Sequence, residues 1–178
     1  MWGGSEVLRS VHHFTAWVMV LVCLYHLLYL AYTILILKRP FPIKMIPAGQ
    51  DFVKFFQEVG YFLGLRKERV RYDRFNWREK FDYWAIFWGV PVMAGSGFVL
   101  MYPVLVTRFL PGWIIPAALV AHSDEAMLAL TWIFVVHIFF NHLVPGIFPI
   151  NTAIFTGKVS GERYRKDHPL EYEMLTGI

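Results

Sequence analysis

The chain has 178 residues, 57% hydrophobic and 18% aromatic, and only 17% of them are Asp, Glu, Lys or Arg, against roughly 25% in an average soluble domain. The length suits a single domain over residues 1–178, and the net charge of +4 comes with no nucleic-acid recognition motif. One cysteine, Cys23, excludes an internal disulfide and a Cys-x-x-Cys-His attachment motif, and also a cysteine-ligated cluster built from this chain alone.

Three stretches carry no Asp, Glu, Lys or Arg: Val11 to Leu37, Tyr83 to Thr107 and Ala126 to Gly157. A helix needs about 20 apolar residues to cross a hydrocarbon core roughly 30 Å thick. The pattern predicts an all-α integral membrane protein with transmembrane helices over 11–37, 83–107 and 122–146, the last stopping near Pro145. The first run is too long for the core of a signal peptide, has no basic segment before it, and lacks a small-residue cleavage site after it. It is therefore expected to be retained.

Between the first two spans, Pro40, Pro42 and Pro47 break the chain. Phe52, Phe55, Phe56, Val59, Phe62 and Leu63 then recur at helical spacing, with Asp51, Lys54 and Glu58 at other positions. This predicts an amphipathic helix over about 50–64, lying in the membrane interface or packed on a soluble partner. Arg66 to Lys80 forms a basic connector, and residues 150–178 form a polar tail. Of the 17 Lys and Arg, eleven lie between Lys38 and Lys80 and four between Lys158 and Lys166, leaving Arg9 and Arg108 on the other side. Cytoplasmic loops collect Lys and Arg. The N-terminus and the Thr107–Glu125 loop, marked by Pro111, Gly112 and Pro116, are thus expected outside, and the C-terminus in the cytoplasm.

Seven histidines are present, and all but His168 lie in or at the edge of a predicted span. Ionisable residues in membrane helices are rare and usually face the bundle interior. With about 100° of rotation per residue, His26 returns to within roughly 40° of His12, and His137 to within roughly 60° of His122. Each pair is separated by about 21–22 Å along its helix. His13 falls roughly 140° from His26, and His142 a similar angle from His137, so both are expected to point elsewhere. The first and third spans run in the same direction. His12 then stands level with His122 at the outer end and His26 with His137 towards the cytoplasm, each pair suited to one non-covalently held haem iron. A zinc site, whose ligands converge on one ion, fits this wide separation less well. Met19, Met93, Met101 and Met127 read as filler, and Gly95-Ser96-Gly97 as a place of close approach.

His12-His13-Phe14-Thr15-Ala16-Trp17 through Tyr25-His26 resembles the second transmembrane helix of respiratory dihaem cytochromes b. His122-Ser123-Asp124-Glu125-Ala126 through Val136-His137 resembles their later haem helix, and the same spacing occurs in the cytochrome b of bc-type complexes. Lys80-Phe81-Asp82-Tyr83-Trp84-Ala85 with Gly89, and Pro149 to Gly157, look like membrane subunits of formate dehydrogenase and nickel–iron hydrogenase. The likeness covers roughly residues 7 to 160. It implies two haem b groups in the helix bundle, with His12 and His122 as axial ligands of the outer iron and His26 and His137 of the inner. It also implies electron transfer between a partner redox subunit (an iron–sulfur or multihaem c-type protein) and membrane quinone, menaquinone or ubiquinone, in a bacterial or archaeal cytoplasmic membrane. Those subunits usually begin with a further helix that can contribute a ligand. Here either His26 takes that place or another chain supplies a fourth helix.

Quinone chemistry moves protons, so groups near the redox edge matter. His142, Asn141, Lys80 and Asp82 form the candidate site on the cytoplasmic side, and Asp124 and Glu125 the candidate outside. Lys80 and Asp82 read equally as interfacial anchors, and Asp124 and Glu125 as a helix N-terminus favoured by its dipole. No nucleophile–base set, phosphate loop or nicotinamide fingerprint is present, so stand-alone catalysis is not expected. The alternatives are a non-redox membrane anchor that docks a peripheral enzyme, and a metal or proton transporter built on buried histidines.

Overall fold

The computed structural model describes residues 3–177. It is 74% helix, with no strand among the described residues. Helix α1 spans Gly3–Ala31 and continues in a wider i→i+5 winding over Tyr32–Ile36. It stops where Lys38 takes a left-handed conformation, φ 54°, and Arg39 precedes a proline, which disfavours helical backbone. Helix α2 spans Gly49–Phe62. The Ala48 amide donates to the Asp51 carboxylate at 2.8 Å, and the far end closes through Gly64 at φ 72° with the Leu65 amide donating to the Gly60 carbonyl at 2.8 Å.

Helix α3 runs over Trp77–Met101, starting six residues before the charge-free stretch. Asn76 and Glu79 explain the early start. The Glu79 amide donates to the Asn76 side chain at 3.0 Å and the Asn76 amide to the Glu79 carboxylate at 2.9 Å, a reciprocal cap. Pro91 lies inside α3, a placement membrane helices tolerate. A short helix α4, Pro103–Val106, leads to α5, Ile114–Trp132, which continues as an i→i+5 winding over Ile133–Leu143. Helix α5 begins eight residues before the expected 122 because Pro116 sits in its first turn, where its missing amide costs nothing. Three short helices follow: α6 Ala153–Thr156, α7 Gly161–Asp167 and α8 Pro169–Thr176.

Among the described residues, three helices are long and apolar enough to span a membrane: Gly4–Ile36, Trp77–Met101 and Ile114–Leu143. In the most apolar window of the first and third, no residue is buried by the chain itself. Large side chains such as Leu8, Phe14, Leu28 and Val135 stand more than 60% exposed, an apolar surface far beyond what a monomer leaves in water.

The chain divides into two compact units, Met1–Phe41 with Ile86–Ala129, and Pro42–Ala85 with Leu130–Ile178. In the second, α2 turns its charged side inward. Glu58, 4% exposed, accepts from Arg78 at 2.5 Å, Trp77 at 2.6 Å and Tyr72 at 2.9 Å. Lys80 pairs with Asp51 at 2.8 Å. Phe52, Phe56, Val59 and Leu63 lie on one helical face and are exposed. The 70–75 segment anchors the C-terminal helices: Arg74 pairs with buried Glu171 at 3.1 Å, Tyr164 donates to the same carboxylate, and His168 Nδ1 lies 2.8 Å from the Asp73 carbonyl.

Burial alone would raise the Glu58 carboxyl, but the bond and charge of Arg78, with donors Trp77 and Tyr72, hold it below the usual carboxylate range. Burial, with the Glu58 charge beside it, pushes the Tyr72 phenol above its ordinary value. Glu58 therefore stabilises the fold above its unfolded value of about pH 4.3 and loses that contribution as pH falls through its lower folded value. Tyr72 contributes below about pH 10 and loses its share as pH rises beyond. Glu58→Ala, which leaves Arg78 unpaired, should cost about 3 kcal/mol. Thermal melts in detergent should show this drop at neutral pH and a smaller one once pH has fallen through the folded value of Glu58; no drop at neutral pH would contradict the ion-pair account.

Candidate functional site

In the first unit, His12 on α1 and His122 on α5 face one another, with ring centroids 6.0 Å apart and planes at 85°. Both line a cavity of about 840 Å³ whose walls also include Arg9, His13, Trp17, Met19, Met93, Gly97 and Met101. The volume lies within the range of sites for small molecules and cofactors.

The second half of α3 sets the His122 ring. Ser96 Oγ donates to the Val92 carbonyl at 2.6 Å, which uses its one proton. The hydroxyl also lies 2.9 Å from His122 Nδ1 and must accept there. His122 therefore carries its proton on Nδ1 and keeps the lone pair on Nε2. Gly97 leaves room for the ring, since a Cβ at that position would stand 3.2 Å from His122 Cε1. Gly89 does the same for Glu125, whose Oε1 would lie 2.8 Å from an added Cβ.

The expected sites are redistributed in part. His13 lines the same cavity as His12, 6.0 Å from its ring, although its angle on an ideal helix turned it away; the cavity is wide enough to be walled by adjacent residues. His26 is half-buried, with its ring 6.4 Å from Phe87. Asp124 and Glu125 lie well inside α5, not at a helix N-terminus, because α5 starts at Ile114.

His137 belongs to the second unit. Its Nδ1 lies 2.8 Å from the Asp82 carboxylate, whose other oxygen accepts from the Trp132 indole at 2.5 Å. Asn141 lies 3.2 Å from the same imidazole nitrogen. Because the carboxylate accepts from the ring, His137 too is protonated on Nδ1. His142 accepts from the Asn151 amide at 3.3 Å, and Lys80 is held by Asp51. Of the four residues expected to form one proton site, Asp82 and Asn141 meet at His137, while Lys80 and His142 are bonded elsewhere. His137 and His142 both lie in the i→i+5 winding of Ile133–Leu143, and each has its own hydrogen-bond partner.

Sequence reasoning missed Arg9 and Trp132, turned His13 away from the site, and read Ser96 and Gly97 only as a place where helices or a flat macrocycle approach closely. Ser96 had a usable signal, since a membrane serine commonly bonds the carbonyl four residues back, which fixes its role towards any neighbour. Among the described residues, no group of three or more His, Cys, Asp or Glu is arranged to hold a metal ion. No protein-family model, curated protein or solved structure matches the chain.

The tautomer assignment is directly measurable. Nitrogen-15 spectra of histidine-labelled protein should show the His122 proton on Nδ1, and Ser96→Ala should weaken that preference. A dominant Nε2–H form in the unsubstituted protein would contradict the hydrogen-bond assignment.

Proposed function

We propose that the chain is a dihaem b-type cytochrome subunit of a membrane-bound oxidoreductase, passing electrons between a partner redox subunit and the quinone pool. The observation that carries this reading is the facing pair His12 and His122 beside the cavity. Imidazole nitrogens bind a first-row metal ion at about 2 Å and lie about 1 Å from their ring centres, so two imidazoles on opposite sides of one ion have centres roughly 6 Å apart. The 6.0 Å separation of the ring centres fits that requirement, and a proton on Nδ1 shared with Ser96 leaves His122 Nε2 for a metal.

Haem held there would supply a one-electron carrier whose potential the surrounding protein sets. The chain's own residues do the rest. His12 and His122 would hold the iron, Gly97 leaves room beside α3, and Arg9, which lines the same cavity, would offer a guanidinium to carboxylate groups. The second pair, His26 with His137, rests on register in the sequence and on the Asp82 bond, which puts His137 in the same tautomer. Asp82 and Asn141 beside His137 suit proton exchange with a quinone; menaquinone and ubiquinone share the chemistry required.

The three apolar helices and the charge distribution support a multi-pass protein of a bacterial or archaeal cytoplasmic membrane, N-terminus outside. Helix α2, with its ion pairs turned in and Phe52, Phe56, Val59 and Leu63 turned out, suits the membrane interface. Lipids brominated along their acyl chains should quench a tryptophan placed by Phe56→Trp far more than one placed by Gln57→Trp. Equal quenching would place the apolar stripe against protein.

Purified protein should show a reduced b-type α band with two haems per chain. His12→Leu or His122→Leu should remove one haem and spare the other, and His26→Leu or His137→Leu the reverse. A colourless preparation that still holds its partner subunit would overturn the cytochrome reading in favour of a docking anchor.

A further inference from the structure

The cations of the second unit fall into two groups. Lys80, Arg78, Lys44, Arg74 and Arg71 are each held by a carboxylate, of Asp51, Glu58, Asp73, Glu171 and Glu173 in turn. Arg66, Lys67 and Arg69 are left over, and among the described residues none of the three forms an ion pair. Lys67 and Arg69 are exposed and Arg66 is half-buried. Glu68 is the one acid among them, so three positive charges stand against one negative.

The end of α2 sets where these cations lie. Gly64 turns the chain at φ 72°, and the Leu65 and Arg66 amides both donate to the Gly60 carbonyl, at 2.8 and 3.1 Å. The basic run therefore begins against the last turn of α2, where Phe62, Leu63 and Leu65 are all more than 60% exposed. The Phe62 ring lies 6.0 Å from that of Phe140, and Phe140 precedes by three residues the end of the third span at Leu143. At the rise of a helix, that contact lies within about 5 Å of the end of the span. This is the depth at which hydrocarbon gives way to headgroups.

Exposed apolar side chains beside uncompensated cations bind a bilayer through its acyl chains and its anionic headgroups together. An acidic protein would match the cations, but it would have to occupy the layer that the Phe62–Phe140 contact assigns to lipid. We propose that Arg66, Lys67 and Arg69, with Phe62, Leu63 and Leu65 beside them, form a docking site for the phosphates of anionic phospholipids. The guanidinium groups of Arg66 and Arg69 and the ammonium of Lys67 donate to phosphate oxygens, while acyl chains cover the apolar side chains. The inference rests on the interfacial reading of α2 above and is independent of haem.

The test uses the full chain in vesicles of phosphatidylcholine with phosphatidylglycerol as the minor lipid, the acyl chains of one or the other being brominated. Leu65→Trp reports the lipid beside the cations and Phe56→Trp the lipid farther along α2, each read against the unsubstituted protein. Brominated phosphatidylglycerol should quench Leu65→Trp at least about twofold beyond its share of the lipid. That excess should vanish in about 1 M sodium chloride, where charges are screened beyond about 3 Å. It should vanish equally when Arg66→Gln, Lys67→Gln and Arg69→Gln are combined, or in the exposed pair Lys67→Gln with Arg69→Gln should the triple variant not assemble. Quenching in proportion to the lipid share, or an excess that survives these replacements, would overturn the inference. So would inorganic phosphate abolishing the excess where chloride of equal ionic strength does not, since the site would then take a soluble anion. A Leu65→Trp that neither lipid quenches, with Phe56→Trp quenched, would overturn it in favour of an acidic protein partner. A Phe56→Trp that neither lipid quenches would instead refute the interfacial placement of α2 beneath it.

Discussion

A histidine inside a hydrocarbon layer must have both ring nitrogens accounted for, because an unmatched polar group there costs several kcal/mol. The first unit meets half of this demand with the chain itself. Val92 takes the Ser96 proton, Ser96 takes the Nδ1 proton of His122, and the ring is left with one basic nitrogen. Gly97 is small enough to let that ring sit against α3, and α1 brings His12 to face it. Each of these features is unremarkable in isolation. Together they present two imidazoles with ring centres 6.0 Å apart and a cavity beside them.

The second unit solves a different problem. Helix α2 carries Asp51 and Glu58 on the side facing its own unit, and they are matched by Lys80, Arg78, Trp77 and Tyr72. The charges that would make α2 soluble are consumed internally, and its aromatic stripe faces outward. This is the reverse of a helix on a water-soluble domain. It is what an apolar surrounding favours, since exposed rings then cost little and buried charges are paired. The C-terminal helices are tied to the same region through Arg74 and Glu171, so the basic connector is part of a packed module.

The three spans were legible because absence of charge over more than 20 residues is a strong signal. Their ends were less so. The Asn76–Glu79 cap that starts α3 was readable as a capping box but was hidden inside a run of charges. Pro116 looked like a loop marker although a first turn accepts it, which displaced His122, Asp124 and Glu125 towards a helix end they do not occupy. The histidine spacing pointed to His12 and His122, but not to His13 or Arg9, because an ideal rotation of 100° per residue says nothing of how wide a cavity is. The i→i+5 winding of Ile133–Leu143 has no local sequence signal. Asp82 was visible as a candidate proton donor; its bond to His137 is a tertiary fact.

The central claim is that His12 and His122 are two ends of one coordination axis. Anomalous diffraction from crystals of the protein purified with its native cofactors, collected on either side of the iron absorption edge, tests it most directly. An iron peak on the line joining the two rings, about 2 Å from a nitrogen of each, is the predicted result. A map with no iron between them, and the two imidazoles bonded only to protein groups, would contradict it.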